Sequence, residues 1–69
     1  TLLQEFVQRD GDKHIVYRLL SESGPDHAKT FHMTVEIDGV TYEAGSGKSK
    51  KIAEQHAAQL TLEKLMAHK

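Results

Sequence analysis

Residues Gly45 to Ala58 read Gly-Ser-Gly-Lys-Ser-Lys-Lys-Ile-Ala-Glu-Gln-His-Ala-Ala. Two glycines are followed by a serine suited to capping a helix and then by an alanine-rich periodic stretch. Lys48, Lys50 and Lys51 therefore fall where a helix presents backbone N–H groups that lack intrahelical partners. Side-chain charge and helix dipole are both positive there, which suits a phosphate. Without an anion the arrangement is unfavourable, because first turns prefer acids, and none follows these lysines before Glu54. A solvated helix start leaves that cost unexplained, whereas an anionic ligand offsets it.

Gly47-Lys48-Ser49 also matches the second half of a nucleotide phosphate loop. That motif requires a glycine five residues before Gly47, and Tyr42 stands there. The chain is also too short for the parallel sheet that carries such loops, so nucleotide hydrolysis is not expected.

His27 follows Gly24-Pro25-Asp26. It reads either as an ordinary exposed histidine or as a polar finger held out by a proline-stiffened turn. Gln4, Glu5 and Gln8 share one face of a helical pattern. Amphipathicity alone makes that face a solvent face. The functional alternative is hydrogen bonding to sugar hydroxyls, since a carboxylate can accept from a 2′-hydroxyl, which DNA lacks. Periodicity does not choose between these. Metal and nucleophile chemistry find little support. His27 and His32 lie in different elements, no cysteine assists, and no His-Glu-x-x-His pattern occurs. Asp10 and Asp12 lack the rest of a calcium loop, and no Ser/His/Asp nucleophile elbow is present.

The 69 residues form one small domain at most. The formal net charge is -1, from nine Lys and Arg against ten Asp and Glu. A nucleic-acid binder is usually basic, so the sum argues mildly against that class. The distribution argues for it: Ala44 to Ala53 holds three lysines and no acid. Binding through such a local patch is salt-sensitive. No apolar run reaches the roughly 18 residues of a membrane span, so no membrane partner is expected. The lack of cysteine fits a reducing, cytoplasmic setting.

The elements that would position these residues follow from periodicity. Leu2, Leu3, Phe6 and Val7 have helical spacing, and Asp10-Gly11-Asp12 ends that helix. Ile15 to Leu20 reads as a strand, and Ser21 to Thr30 as a loop around Gly24-Pro25-Asp26. From Phe31 to Ile37 the pattern alternates: Phe31, Met33, Val35 and Ile37 face inward, and His32, Thr34 and Glu36 face water. Asp38-Gly39 signals a two-residue hairpin. Val40, Tyr42 and Ala44 continue as a third strand, which Gly45 and Gly47 break. Ser49 caps a helix running to about His68, with Ile52, Ala53, Ala57, Ala58, Leu60, Leu62, Leu65 and Met66 as its apolar set. The expected fold is α+β: α-β-β-β-α, a three-stranded antiparallel sheet with both helices on one face.

In that order, Leu3 to Gln8, Tyr17-Arg18-Leu19, Gly24-Pro25-Asp26-His27, Phe31 to Val35 and Gly45 to Ala58 resemble a double-stranded-RNA-binding domain over nearly the whole chain. Leu-Gln-Glu-x-x-Gln in the first helix, paired with Ser-Lys-Lys-x-Ala-Glu-Gln in the second, is most similar to the carboxy-terminal domain of bacterial ribonuclease III. Many eukaryotic members carry lysine where this chain has Glu54, which removes one possible phosphate contact.

The resemblance implies roles. Gln4, Glu5 and Gln8 would enter one minor groove. His27, with the backbone around Pro25 and Ala28, would enter the next. Lys48, Lys50 and Lys51, with the Ser49 hydroxyl, would bridge phosphates across the intervening major groove. Phe31, Ala53, Ala57 and Leu65 would be core. Recognition would be by A-form shape, largely independent of sequence, over about 16 base pairs. The resemblance further implies residues 1–69 of a longer ribonuclease III, a reading that an opening inside a helical pattern also favours. The missing nuclease domain would carry the Mg2+ and the dimer contact of a homodimeric parent. The isolated domain would be monomeric and non-catalytic, with no cofactor of its own. The alternatives are a regulatory or adaptor RNA-binding module, and a protein-interaction domain on the same fold.

Overall fold

The computed structural model describes residues 2–9, 11 and 13–67. The element order is α1 (Leu2–Gln8), β1 (Ile15–Ser23), β2 (Thr30–Ile37), β3 (Val40–Gly47) and α2 (Lys50–Ala67). The strands form one antiparallel meander in the order β1-β2-β3. The expected α-β-β-β-α architecture is what the chain adopts.

Alternation in β2 sets the layering. Met33, Val35 and Ile37 are buried, and β2 and β3 carry α2. Leu3 and Val7 of α1 join Val35, Ile37, Ala57 and Ala58 in the core, with Ile15, Tyr17, Tyr42, Leu62 and Leu65 packed around it. Small residues come first along α2 and larger ones later, so its start lies close on the sheet and its end meets α1. Asp38 and Gly39 take φ of 51° and 82°, the paired positive values of a type I′ hairpin. Asp38 also closes the sheet corner: its N–H donates to His14 O and its Oδ1 accepts from His14 N–H, each at 2.9 Å.

Several expectations are corrected. β1 runs on to Ser23 through an irregularity between Leu19 and Ser21, so the loop is shorter than Ser21 to Thr30. Gly45 and Gly47 do not break β3 but belong to it, paired with Met33 and Phe31. They are small because α2 lies against them: a Cβ on Gly45 would come within 2.8 Å of Ala53 O. Thr34, expected in water, is 3% exposed. Its hydroxyl donates to Tyr42 O and Glu43 O at 3.3 and 3.2 Å, where the β2–β3 register shifts. A bulge disrupts the ladder locally, and the single Thr34 hydroxyl proton is shared between the two carbonyls there. Ile52 and Met66, placed with the apolar set, are about half exposed, and Ile52 lies over Gly47. Phe31 and Leu65 are only partly buried; Leu65 packs on the core cluster and Phe31 does not belong to it. The side chain of Leu2, the residues Asp10 and Asp12, and the extension of α2 to His68 lie outside the described residues.

Candidate nucleic-acid interface

The register explains how distant stretches of sequence meet. Phe31, at the start of β2, pairs with Gly47 at the end of β3. The β1–β2 turn and the N-terminus of α2 therefore emerge at the same end of the sheet. Asp26, His27, Ala28, Lys29, Thr30, Phe31 and Lys48 line one open concavity of about 380 Å³. The polar finger and the first lysine of the cluster thus share a surface that the sequence separates by twenty residues.

The turn is built by its glycine and proline. Gly24 has φ +91°, and a Cβ there would also lie 2.6 Å from Ala28 O, so no other residue fits without strain. Ala28 N–H donates to Pro25 O at 2.9 Å, closing the turn. Pro25, His27 and Ala28 all remain exposed.

At the helix start, Ser49 Oγ accepts from Ile52 N–H at 3.1 Å, and Ser49 O accepts from Ala53 N–H at 3.0 Å. Ser49 is thus the N-cap, and its hydroxyl proton is left to donate to an anion. Lys48, Lys50 and Lys51 are exposed, and the first turn of α2 contains no acid. Among the described residues none of the three has a carboxylate within ion-pair distance, whereas Arg18 pairs with Glu36, Lys29 with Glu22, and Lys64 with Glu43. The three lysines form a cluster of cations, close in sequence, that the fold leaves without a carboxylate partner. Two side-chain bonds hold α2 against β3: Ser46 N–H donates to His56 Nδ1 at 3.1 Å, and Lys64 Nζ donates to Glu43 Oε2 at 3.0 Å.

Gln4, Glu5 and Gln8 are exposed on α1, with Leu3 and Val7 turned to the core. They do not join the His27–Lys48 concavity. Phe6 and Val7 line a depression with Ile37, Tyr42 and Leu65, at the other end of β2. Phe31 and Ile37 are six strand steps apart, about 20 Å, and the long dimension of the molecule is 41 Å. The site is therefore two polar ends with a lysine cluster beside one of them. Among the described residues no three His, Asp or Glu side chains stand close enough to hold a metal ion.

Lys29 and Asp26 are additions that the sequence reading passed over. Asp26 belongs to the Gly24-Pro25-Asp26-His27 turn and Lys29 follows it, and the spacing of Lys29 from Glu22 across a hairpin base was the available signal. Tyr17 of β1 faces Glu54 of α2. Burial, and after it the Glu54 carboxylate, raises the Tyr17 hydroxyl above its ordinary value of 10.0.

Comparison with known proteins agrees with this geometry. The family model of the double-stranded RNA binding motif matches residues 1–65. Ribonuclease 3 of Streptococcus gordonii is 52% identical over 64 residues, covering 93% of this chain and 28% of the relative. Ribonuclease 3 of Bacillus licheniformis is 53% identical over 66 residues, covering 96% and 26%. The Streptococcus mutans protein of the same name is 54% identical over 65 residues, covering 94% and 28%. The chain thus spans little more than a quarter of the length of these relatives. With one family model over nearly all of its residues and a fold that accounts for the match element by element, the chain belongs to the double-stranded RNA binding motif family.

Proposed function

We propose that this domain is the part of a ribonuclease III that holds the substrate, gripping one side of an A-form duplex without cutting it. It binds double-stranded RNA. Gln4, Glu5 and Gln8 of α1 lie in one minor groove, and His27 with the Pro25 and Ala28 backbone lies in the next. Lys48, Lys50 and Lys51, with the Ser49 hydroxyl, meet phosphates across the major groove between them. A-form RNA buries its major-groove base edges and displays 2′-hydroxyls in the minor groove. Reach and spacing therefore select RNA, while charge supplies most of the affinity.

The observation that carries this reading is the set of three unpaired lysines at an acid-free helix start, beside the concavity that holds His27. Support for the parent enzyme comes from the relatives' shared name and from the fraction of their length that this chain covers. Phosphodiester cleavage, the Mg2+ it uses, homodimerisation and the cytoplasmic setting belong to the longer chain.

Replacing Lys50 and Lys51 together by alanine tests the lysine assignment. Each phosphate contact contributes a slope of about 0.9 to log affinity against log salt. The double variant is expected to bind duplex RNA more weakly, with the slope reduced by up to about 2 units. An unchanged slope would remove these lysines from the interface.

A further inference from the structure

Lys29 is the cation that the interface does not leave free. It lines the same concavity as His27 and Lys48, yet its Nζ lies 3.1 Å from Glu22 Oε1 and 3.9 Å from Asp26 Oδ1. Glu22 is on β1, where it pairs across the ladder with Phe31, another residue of the concavity. Asp26 is at the tip of the turn, fully exposed, next to His27. The ammonium group therefore bridges the strand at the base of the hairpin and the tip that carries the histidine.

We infer that the Glu22–Lys29 ion pair is a positioning clamp for His27. It holds the 24–28 turn in its RNA-entering shape, with Lys29 acting through Glu22 and not on a phosphate. The inference rests on the proposed RNA-binding role and goes beyond it, because neither Glu22 nor Lys29 needs to touch RNA. A loop held in its bound shape before binding loses less freedom on binding, which raises affinity without adding a contact. The turn's own restraints are a single Ala28-to-Pro25 hydrogen bond and the glycine that closes it. Glu22 and Lys29 are the side chains that fasten it to the sheet, helped by Ser23 Oγ bonding His32 Nε2 at 3.3 Å at the same hairpin base. The clamp also explains a charge pattern. Glu22 and Asp26 stand beside a surface meant for a polyanion. With Lys29 between them, the local charge that RNA meets is smaller than two carboxylates would present.

A phosphate-contact role for Lys29 gives the opposite result in one experiment. Wild type, Glu22→Gln, Lys29→Gln and the double variant are titrated against a duplex RNA of about 20 base pairs at several salt concentrations. Melting temperatures are recorded alongside to establish that all four are folded. The clamp predicts that Glu22→Gln weakens binding by about two- to fivefold, the range an exposed ion pair spans, with the salt slope unchanged. Lys29→Gln weakens it by a similar factor, and the double variant is no weaker than either single change, as expected for partners in one interaction. In Glu22→Gln, 15N relaxation at His27 and Ala28 shows increased fast motion. Affinity at the wild-type level, or tighter binding with a slope steeper by about 1, would overturn the clamp and make Lys29 a released phosphate contact. Independent, additive losses would overturn it too. A wild-type domain that fails to bind the duplex would overturn the inference together with the reading beneath it.

Discussion

Gly45→Ala adds one methyl group and is expected to disrupt the packing of the whole helix layer. The added Cβ would lie 2.7 Å from His56 C, 2.8 Å from Ala53 O, and closer still to Ala57 N. All three obstacles are α2 backbone, so no side-chain rotation relieves them. Ordinary carbon contacts lie near 3.5 Å or beyond, so α2 must rise from β3 by roughly 1 Å or the strand must bend away. Overpacking of this kind costs ~1–3 kcal/mol, and a backbone obstacle puts Gly45 at the upper end. In a domain of this size each kcal/mol moves the melting temperature by about 4–8 °C, so a fall of about 10–20 °C is expected. Thermal unfolding followed by circular dichroism reads it directly. Gly47→Ala serves as the internal comparison. Its Cβ would meet Cγ2 of half-exposed Ile52, which can turn away, and Ile52 Cβ and Ala53 N at 2.9 and 3.0 Å, which cannot but lie farther off than the obstacles at Gly45. The Gly47 variant should therefore melt well above the Gly45 variant. A Gly45→Ala domain melting within about 2 °C of wild type, under half a kcal/mol, would refute the close seating of α2 on β3. The placement of the lysine cluster depends on that seating.

Thr61 is fully buried, and its Oγ1 has no hydrogen-bond partner among the described residues. Thr61→Val keeps the shape and removes the unpaired hydroxyl, so it should raise stability by about 1 kcal/mol; an unchanged or lower melting temperature contradicts that. Tyr17 is held neutral by burial and then by Glu54, so its hydroxyl ionises at higher pH in the folded state than in the unfolded chain. Its contribution is complete below the unfolded value near 10 and is lost as pH rises through the folded one. The melting temperature should fall above pH 10, and Tyr17→Phe should flatten that alkaline limb. Equal alkaline slopes in the two proteins would refute the assignment.

What was legible in the sequence is what short-range physics determines. The alternation of Met33, Val35 and Ile37, the Asp38-Gly39 turn and the Ser49 cap each depend on a few neighbouring residues, and each stands as read. The departures come where a distant element decides. Glycine ordinarily ends strands, but Gly45 stays in β3 because α2 needs the space above it. Thr34 sits on the polar side of an alternating pattern, yet a bulge in β3 gives its hydroxyl two carbonyls and buries it. Ile52 has helical apolar spacing but falls over the sheet's edge glycine, outside the core. The same holds for the site. The lysine cluster and the His27 turn were visible as local motifs, whereas their convergence on one concavity requires the Phe31–Gly47 pairing. The Glu22–Lys29 pair likewise becomes evident only once β1 extends to Ser23.

The most direct test of RNA recognition is fluorescence anisotropy of the purified domain with a duplex RNA of about 20 base pairs, long enough for a footprint of about 16. The matching DNA duplex and the single-stranded RNA are measured in parallel at two salt concentrations. The account predicts binding to the RNA duplex, weakened by salt, with little affinity for the other two. Equal affinity for DNA would contradict recognition by A-form spacing and 2′-hydroxyls. No binding to any of the three would contradict the interface as a whole and turn the three unpaired lysines toward an acidic protein partner.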